Sequence, residues 1–535
     1  MPFAHPYAPT RCAGAHAPAR CVDRLLRHGA GTGGAACARV DRLFRDGADA
    51  GGAACARCIV EGMFGRKQPG RFLGGRGGQG LEVEESYSPL ERARHFGTSK
   101  LSLQRLVFVN ELVDCAHDIG YEATVEYLLP LVKKLAEDPE VLVRQSLVGH
   151  FGDLAGFLIQ SDPERGYQKV VDDVLPVVSL LLQEKASEVR QGAADALATL
   201  ASHLRPGERS DQVLMLALNM CHNNEDEDFR STGVQLLNGL AEALGPQLCR
   251  QYLALDLAAM CHDPAFRVRK ALAASFSEVA RMVGDEFTMA RILPAFESLV
   301  HDGHWGVRKA AAESLVGLAM AMNADNRRDP FAPLMLDLLK DSSRWVRMSA
   351  FQQLGYFIAC LESAASIPEG LLEQYVDIID QTRGNPDAAD ISYHCAFTFA
   401  AVCQTAGQAN WPRLKTPFSS LCGDSQPKAR KAMAASMHIV AKTVGPARSG
   451  VDVLPCFEAL LGDEAPEVRH AALRNAASML LTMPIALAQD RVLRLLQGAM
   501  GRDEAWRLRL LVASQLGAAC EAVGKVAAPR ASTSE

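Results

Sequence analysis

Three clusters in this 535-residue chain contain residue types that could do chemistry. His301-Asp302-Gly303-His304 sets two imidazoles around a carboxylate, a metal-ligand donor set, but nothing beyond Asp302 completes a closed site, and the histidines read as solvated turn residues. Cys55-Ala-Arg-Cys58 has the spacing of a redox or zinc-knuckle pair, yet no second pair lies at a suitable distance. Gly75-Arg-Gly77-Gly-Gln-Gly80 fits the glycine pattern of a dinucleotide loop. No strand precedes it, however, and Leu81-Glu-Val-Glu-Glu follows where a phosphate-binding helix should begin. No Ser-His-Asp set, paired catalytic carboxylates or phosphate loop is recognisable, so the chain is expected not to be an enzyme and to hold no metal or cofactor.

The charges that do recur are Asp and Arg. Asp263 precedes Arg269 by six residues, as Asp302 precedes Arg308, Asp341 Arg347, Asp424 Arg430 and Asp463 Arg469. Such pairs can form a ladder in which each Arg reaches a carboxylate of its own or an adjacent turn, while each Asp caps the helix that follows. Their first duty is structural. The position three after the Asp holds Phe266, Trp305 and Trp506, with Arg344 in the same place, Trp345 beside it and His304 beside Trp305. Large aromatics and Arg on exposed turns are anchors of protein interfaces, whereas a ring that staples its own helix start is the alternative. The row as a whole is expected to be a binding ridge from Phe266 to Arg347.

The elements that position these residues follow from the spacing. Aligned on Arg308, the same frame reaches Arg105, Arg144, Arg190, Arg230, Arg269, Arg347, Arg430, Arg469 and Arg509, with a degenerate unit near Ser392, which makes eleven anchors. Small or apolar residues return three, seven and eleven after the anchor, as Ala311, Leu315 and Ala319 or Met433, Met437 and Ala441, the period of one helix face. Fifteen after it stands Gly120, Gly245, Gly284, Gly407, Gly445 or Gly524, where a helix C-cap is expected. Eight before the Asp stands a proline in several units, Pro130, Pro176, Pro294, Pro333 and Pro455, which should kink the first helix. A helix pair of about forty residues with an Asp-x-x-x-x-Val-Arg turn is the HEAT pattern, so the chain is read as an all-α solenoid of about eleven HEAT repeats.

No run is apolar enough to span a bilayer and no apolar leader segment starts at Met1, so neither membrane insertion nor secretion is expected, and a cytoplasmic or nuclear location is. Residues 1–80 carry twelve Lys/Arg against five Asp/Glu, so a net charge of −6 leaves −13 on the remainder, a balance that argues against nucleic acid as the main ligand. The fifteen cysteines are scattered, and Cys115, Cys261, Cys360, Cys395 and Cys403 fall in helical strings, where they read as reduced core thiols.

Residues 1–87 are read as a disordered tail, rich in Ala, Gly and Arg and holding a tandem copy at 22–39 and 40–57; a transit peptide fits less well because no serine precedes Ser86. Order is expected from Ser88-Pro89-Leu90-Glu91, an N-cap with a capping-box Glu. Residues 88–360 form an N-terminal array, 361–390 an irregular connection and hinge, 391–527 a C-terminal array, and 528–535 a tail. The unit around Ser392 lacks both Asp and Arg, so its turn should not be tied to its neighbours in the usual way. No polar capping repeat is visible, which suggests a shortened array or a covered end.

The strings LPAFESLVHDGHWGVRKAAAESL, DSSRWVRMSAFQQLGYFI and HDPAFRVRKALAASFSEVARMVG resemble the HEAT repeats of the protein phosphatase 4 regulatory subunit 1 family. ISYHCAFTFAAVCQTAGQANW and SPLERARHFG share that likeness, and the whole array is more distantly similar to the scaffold A subunit of protein phosphatase 2A. The resemblance covers about Ser88 to Gly524. It departs where family members carry a long polar insertion after the position of Cys360 and where their repeats continue further. It implies a non-catalytic regulatory subunit that holds a serine/threonine phosphatase catalytic subunit, with the metals on that partner, and directs it to substrates. Another HEAT adaptor, in transport or the cytoskeleton, shares the fold without the partner, and a HEAT-like lyase would need a cavity with placed acid and base groups.

Overall fold

A computed structural model describes residues 87–361, 363–382 and 389–482. Every regular element among them is helical, and the elements fall into ten antiparallel pairs, the stack of an all-α HEAT solenoid. By contact the chain divides into two compact units, one ending at Ser314 and the other beginning at Leu315. The expectations placed on residues 1–86, on Trp506, Arg509 and Gly524, and on 528–535 lie outside the described residues.

The first helix, Pro89–Gly97, starts as its sequence dictates. Ser88 accepts from the Glu91 N–H at 3.4 Å while the Ser88 N–H donates back to Glu91 Oε2 at 2.9 Å, so two N–H groups that the helix itself cannot satisfy find partners. In six of the described turns a Val before the anchor Arg closes the core, with Val143, Val189, Val268, Val307, Val346 and Val468 all essentially unexposed. The residues expected on the inner helix face, Ala311, Leu315, Ala319, Met433, Met437 and Ala441, are likewise at 0% exposure.

The repeat glycines are sharper devices than caps. Gly120, Gly284 and Gly445 pair φ of 79°, 83° and 84° with ψ of 174°, 169° and 164°, a region open in practice only to glycine. The Gly120 N–H donates to Ala116 O at 3.0 Å, ending one helix, and its carbonyl accepts from Thr124 N at 3.0 Å, starting the next. One residue thus joins the second helix of a pair to the first helix of the following pair with no loop between. Four residues on, a small polar side chain turns back to the finished helix: Thr124 to Ala116 O, Thr288 to Ala280 O and Ser449 to Ala441 O, with Cys249 to Ala241 O in the same place.

The expected proline kinks are π-helical turns. Thr124–Leu128, Val170–Val174, Thr288–Ile292 and Ser449–Val453 each precede a proline, and the wider turn separates the proline ring from the preceding carbonyls. Proline is not their sole cause, since Arg209–Leu214 and Cys249–Leu253 show the same turn before Met215 and Ala254. Pro333, conversely, sits within the unbroken helix Arg328–Leu339. Several second helices are also interrupted midway, as at Ser275, whose hydroxyl returns to Ala271 O at 2.8 Å, a local bond that competes with the helical ladder.

The irregular connection assigned to 361–390 needs correction. It contains the helix Glu369–Thr382, which buries Leu371, Leu372, Tyr375, Ile378 and Ile379. The fully buried Tyr375 donates its hydroxyl to Cys395 O at 2.7 Å, fastening this helix to its partner Ala389–Ala406 as an ordinary pair. The flanking Pro and Gly residues hid a helical apolar period.

Candidate partner-binding turns

The ladder is built from one rule, repeated. Among the described residues anchor Arg side chains donate Nη1 to the backbone carbonyl of the Asp in their own turn, Arg269 to Asp263 O at 2.7 Å, Arg308 to Asp302 O at 2.8 Å, Arg347 to Asp341 O at 2.6 Å, Arg430 to Asp424 O at 2.8 Å and Arg469 to Asp463 O at 2.7 Å. Where a carboxylate is reached it belongs to the next turn. Arg269 grips Asp302 at 2.6 and 3.1 Å, and Arg430 grips Asp463 at 2.6 and 2.8 Å, both through Nε and Nη2 in the parallel geometry that makes Arg–carboxylate pairs strong. Arg105 with Asp138 and Arg230 with Asp263 form the same rung.

Each Asp completes the turn with its other bond. The N–H two residues on donates to its Oδ1, Ala265 to Asp263 at 2.8 Å, His304 to Asp302 at 2.7 Å, Ser343 to Asp341 at 2.7 Å, Gln426 to Asp424 at 2.7 Å and Ala465 to Asp463 at 2.8 Å. The Asp therefore braces the approach to the helix rather than capping its first turn. Burial by itself pushes the Asp302 carboxyl up, but the bonds from the Arg269 guanidinium and the His304 N–H outweigh it and hold the group below the usual carboxylate range. Asp463 is held down chiefly by the Arg430 bonds, against a smaller effect of burial.

Three turns vary the rule. Arg144 meets Glu184 at 3.2 Å, and Arg190 bonds Thr232 at 3.2 Å while its guanidinium lies 4.6 Å over the Phe229 ring. At the degenerate unit the Ser392 hydroxyl donates to Asp424, so this turn is tied to its neighbour after all by a shorter side chain.

On this frame the structure brings three of the candidate ridge residues together. Phe266 stacks on His304 with ring centroids 4.0 Å apart at 25°, and His304 stacks in turn on Trp305 at 5.9 Å and 22°. The Gly306 N–H donates to His304 Nδ1 at 3.1 Å, which fixes the ring's orientation and leaves the neutral imidazole's proton on Nε2. A Cβ at 306 would lie 3.1 Å from the imidazole, so glycine there gives the ring room to sit this close. The stack stays open to solvent, Phe266 at 39% exposure and Trp305 at 45%. Arg344 is also exposed and Trp345 more so, at 60%, on the turn that opens the helix Arg344–Cys360. His301 is an exposed turn residue, and among the described residues no group of three or more His, Cys, Asp and Glu could hold a metal ion.

The aromatic signal missed a second stretch of turns. Leu101, Leu103, Val141 and Leu142 are exposed at 57, 51, 39 and 66%, and Leu103 and Leu142 both stand two residues before an anchor Arg. The register could have found them; aliphatic side chains simply do not draw the eye as Trp does. Among the described residues no helix is long and apolar enough to cross a membrane.

Residues 395–498 match the sequence model described as the protein phosphatase 4 regulatory subunit 1 middle domain, and residues 292–321 match that of the HEAT repeat. The serine/threonine-protein phosphatase 4 regulatory subunit 1 of Homo sapiens is 31% identical over 152 residues, which is 28% of this chain and 16% of that protein, and the Mus musculus protein matches equally. The chain thus aligns with less than a fifth of the length of these relatives. Among solved structures, importin beta in a polyethylene glycol condition superposes with a TM-score of 0.62 at 13% identity, covering 82% of this chain and 59% of the other. Kap95p, whose binding acts on the switch loops of RanGDP, gives 0.58 at 14%, covering 82% and 57%. At that identity the likeness is one of fold alone.

Proposed function

We propose that this chain is a non-catalytic regulatory subunit of a serine/threonine phosphatase of the protein phosphatase 4 kind, and that its turns hold the catalytic subunit and help bring substrates to it. The match of residues 395–498 to the regulatory subunit's middle domain is the observation that carries this reading. The exposed aromatic turns supply a physical means, since Trp and Arg side chains that lose solvent on docking are the residues from which interfaces draw most of their affinity. The metals of such an enzyme would sit on the partner, in the cytoplasm or nucleus. A transport adaptor is the rival with the same fold, but the karyopherin likeness rests on 13–15% identity and carries the fold alone.

The test is a pull-down of the phosphatase 4 catalytic subunit with the full chain and with the triple variant Trp305→Ala, Arg344→Ala, Trp345→Ala, together with a thermal melt of each. Interface anchors contribute about 2–4 kcal/mol each, so the triple variant should lose the partner while melting as the parent does. Retained partner with a lowered melting temperature would return these side chains to the fold's own packing.

A further inference from the structure

The second helices Arg344–Cys360, Ala389–Ala406 and Pro427–Val444 pack in succession within the unit that begins at Leu315, and their charge is one-sided. Together they hold six Lys/Arg against the single acid Asp390. Two of the six, Arg347 and Arg430, serve their own turns. The lysines serve no rung. Lys431 meets Glu467 at a loose 3.5 Å with both side chains largely in solvent, and the exposed Lys428 and Lys442 form no ion pair among the described residues. Earlier second helices have the opposite sign: Ser187–Ala201 carries Glu188 and Asp195 beside Arg190, and Glu227–Leu248 carries Glu227, Asp228 and Glu242 beside Arg230.

Alongside the lysines lies a ring cluster that no repeat forms alone. Tyr356 of the first of these helices stands 6.2 Å from His394 and 6.4 Å from Phe397 of the second, and Tyr393 leans on Phe397 at 6.0 Å. All four rings are half-buried, so each is held in place and still meets solvent. Counted from the anchor position, Tyr393 and Lys431 occupy the same place in successive helices, one residue after Ser392 and Arg430, which sets the lysine row next to the rings. Burial pushes the Tyr393 hydroxyl up and the His394 imidazole down, so both rings are neutral at physiological pH and the positive charge belongs to the lysines.

We propose that this face binds an extended acidic peptide segment, its carboxylates on Lys428, Lys431 and Lys442 and an aromatic or leucine side chain against Tyr356, Tyr393 and Phe397. Charge decides the sign of the ligand, because a basic segment would meet only repulsion from the lysine row. The rings decide that it carries an apolar side chain, since an aromatic or leucine group laid on them loses solvent and gains ring contacts. The helix decides its length. Lys428 and Lys442 are fourteen residues apart on one helix, about 21 Å at about 1.5 Å per residue, which an extended segment of about six or seven residues spans. This goes beyond the phosphatase reading and does not rest on it, because neither Trp305, Arg344 nor Trp345 takes part.

The full chain, fluorescently labelled, is passed over an array of random octapeptides, and so is the triple variant Lys428→Glu, Lys431→Glu, Lys442→Glu. Octapeptides retained by the parent should be enriched in Asp and Glu together with at least one Phe, Tyr, Trp or Leu. The triple variant should bind the strongest of them about tenfold more weakly, and added salt should weaken the parent in the same direction. Tyr393→Ser should blunt the apolar preference and keep the acidic one, with thermal melts establishing that both variants fold. Capture of the phosphatase 4 catalytic subunit by the triple variant should be unchanged, so the two readings fail separately. Retention without enrichment in acids, equal binding by the triple variant, or displacement of the octapeptides by an RNA octamer more readily than by a free acidic octapeptide overturns the inference.

Discussion

Arg269 donates to both carboxylate oxygens of Asp302, and Asp302 accepts the N–H of His304, whose ring is stacked on Phe266, the first residue of the helix that carries Arg269. The structural ladder and the solvent-facing aromatic stack are therefore one closed circuit across two turns. Disturbing the ion pair should loosen the surface above it.

Arg269→Ala leaves Asp302, 7% exposed, without its charged partner and should cost about 3 kcal/mol. Arg269→Lys should recover little of it, because an ammonium cannot form two parallel bonds to a carboxylate. Chemical denaturation measures the loss, and amide exchange at His304 should accelerate in both variants.

Acid should unfold the array through the same rungs. Asp138, Asp302 and Asp463 are all held below the ordinary carboxylate value of about 3.9. A carboxyl depressed in the folded state contributes stability that is fully present above its unfolded value and is lost as pH falls through the folded one. Stability should therefore be flat near pH 6 and fall steeply below about pH 4, and Asp302→Asn should be less stable at neutral pH but show a shallower acid decline. Denaturation midpoints between pH 3 and 6 check both slopes.

Gly120→Ala should destabilise by about 1–3 kcal/mol through backbone strain alone, since φ is 79° and ψ 174° and no atom lies within 4 Å of the added Cβ. Gly355→Ala should destabilise by a different route, since its Cβ would stand 2.1 Å from Thr398 Oγ1. Thr398→Ala should therefore partly rescue Gly355→Ala and leave Gly120→Ala unchanged, which melts of the double variants will read.

His304→Ala removes the ring that lies between Phe266 and Trp305. Aromatic pairs of this kind contribute about 0.5–1.5 kcal/mol, so the melting temperature should drop only slightly. Capture of the phosphatase catalytic subunit should fall more than Phe266→Ala alone causes, if the rings dock as a unit. Titrating the immobilised partner with each variant compares the two.

Local chemistry made much of this molecule legible in its sequence. The capping box at Ser88, the glycine joints, the buried Val before most anchors and the Asp and Arg of the regular turns are short-range matters, decided by backbone conformation and by bonds within a few residues. What stacking decides could not be read so directly. Arg269 and Asp302 are joined across 33 residues, and whether an Arg meets the carboxylate of its own turn or of the next depends on how one helix pair settles on another. That same stacking lets Ser392 stand in for an Arg, makes an ordinary repeat of Glu369–Thr382 despite its broken flanks, and leaves Trp305 and Trp345 facing solvent. Helical periods are written residue by residue, but side-chain partnership between repeats is fixed by their packing, which no single repeat contains.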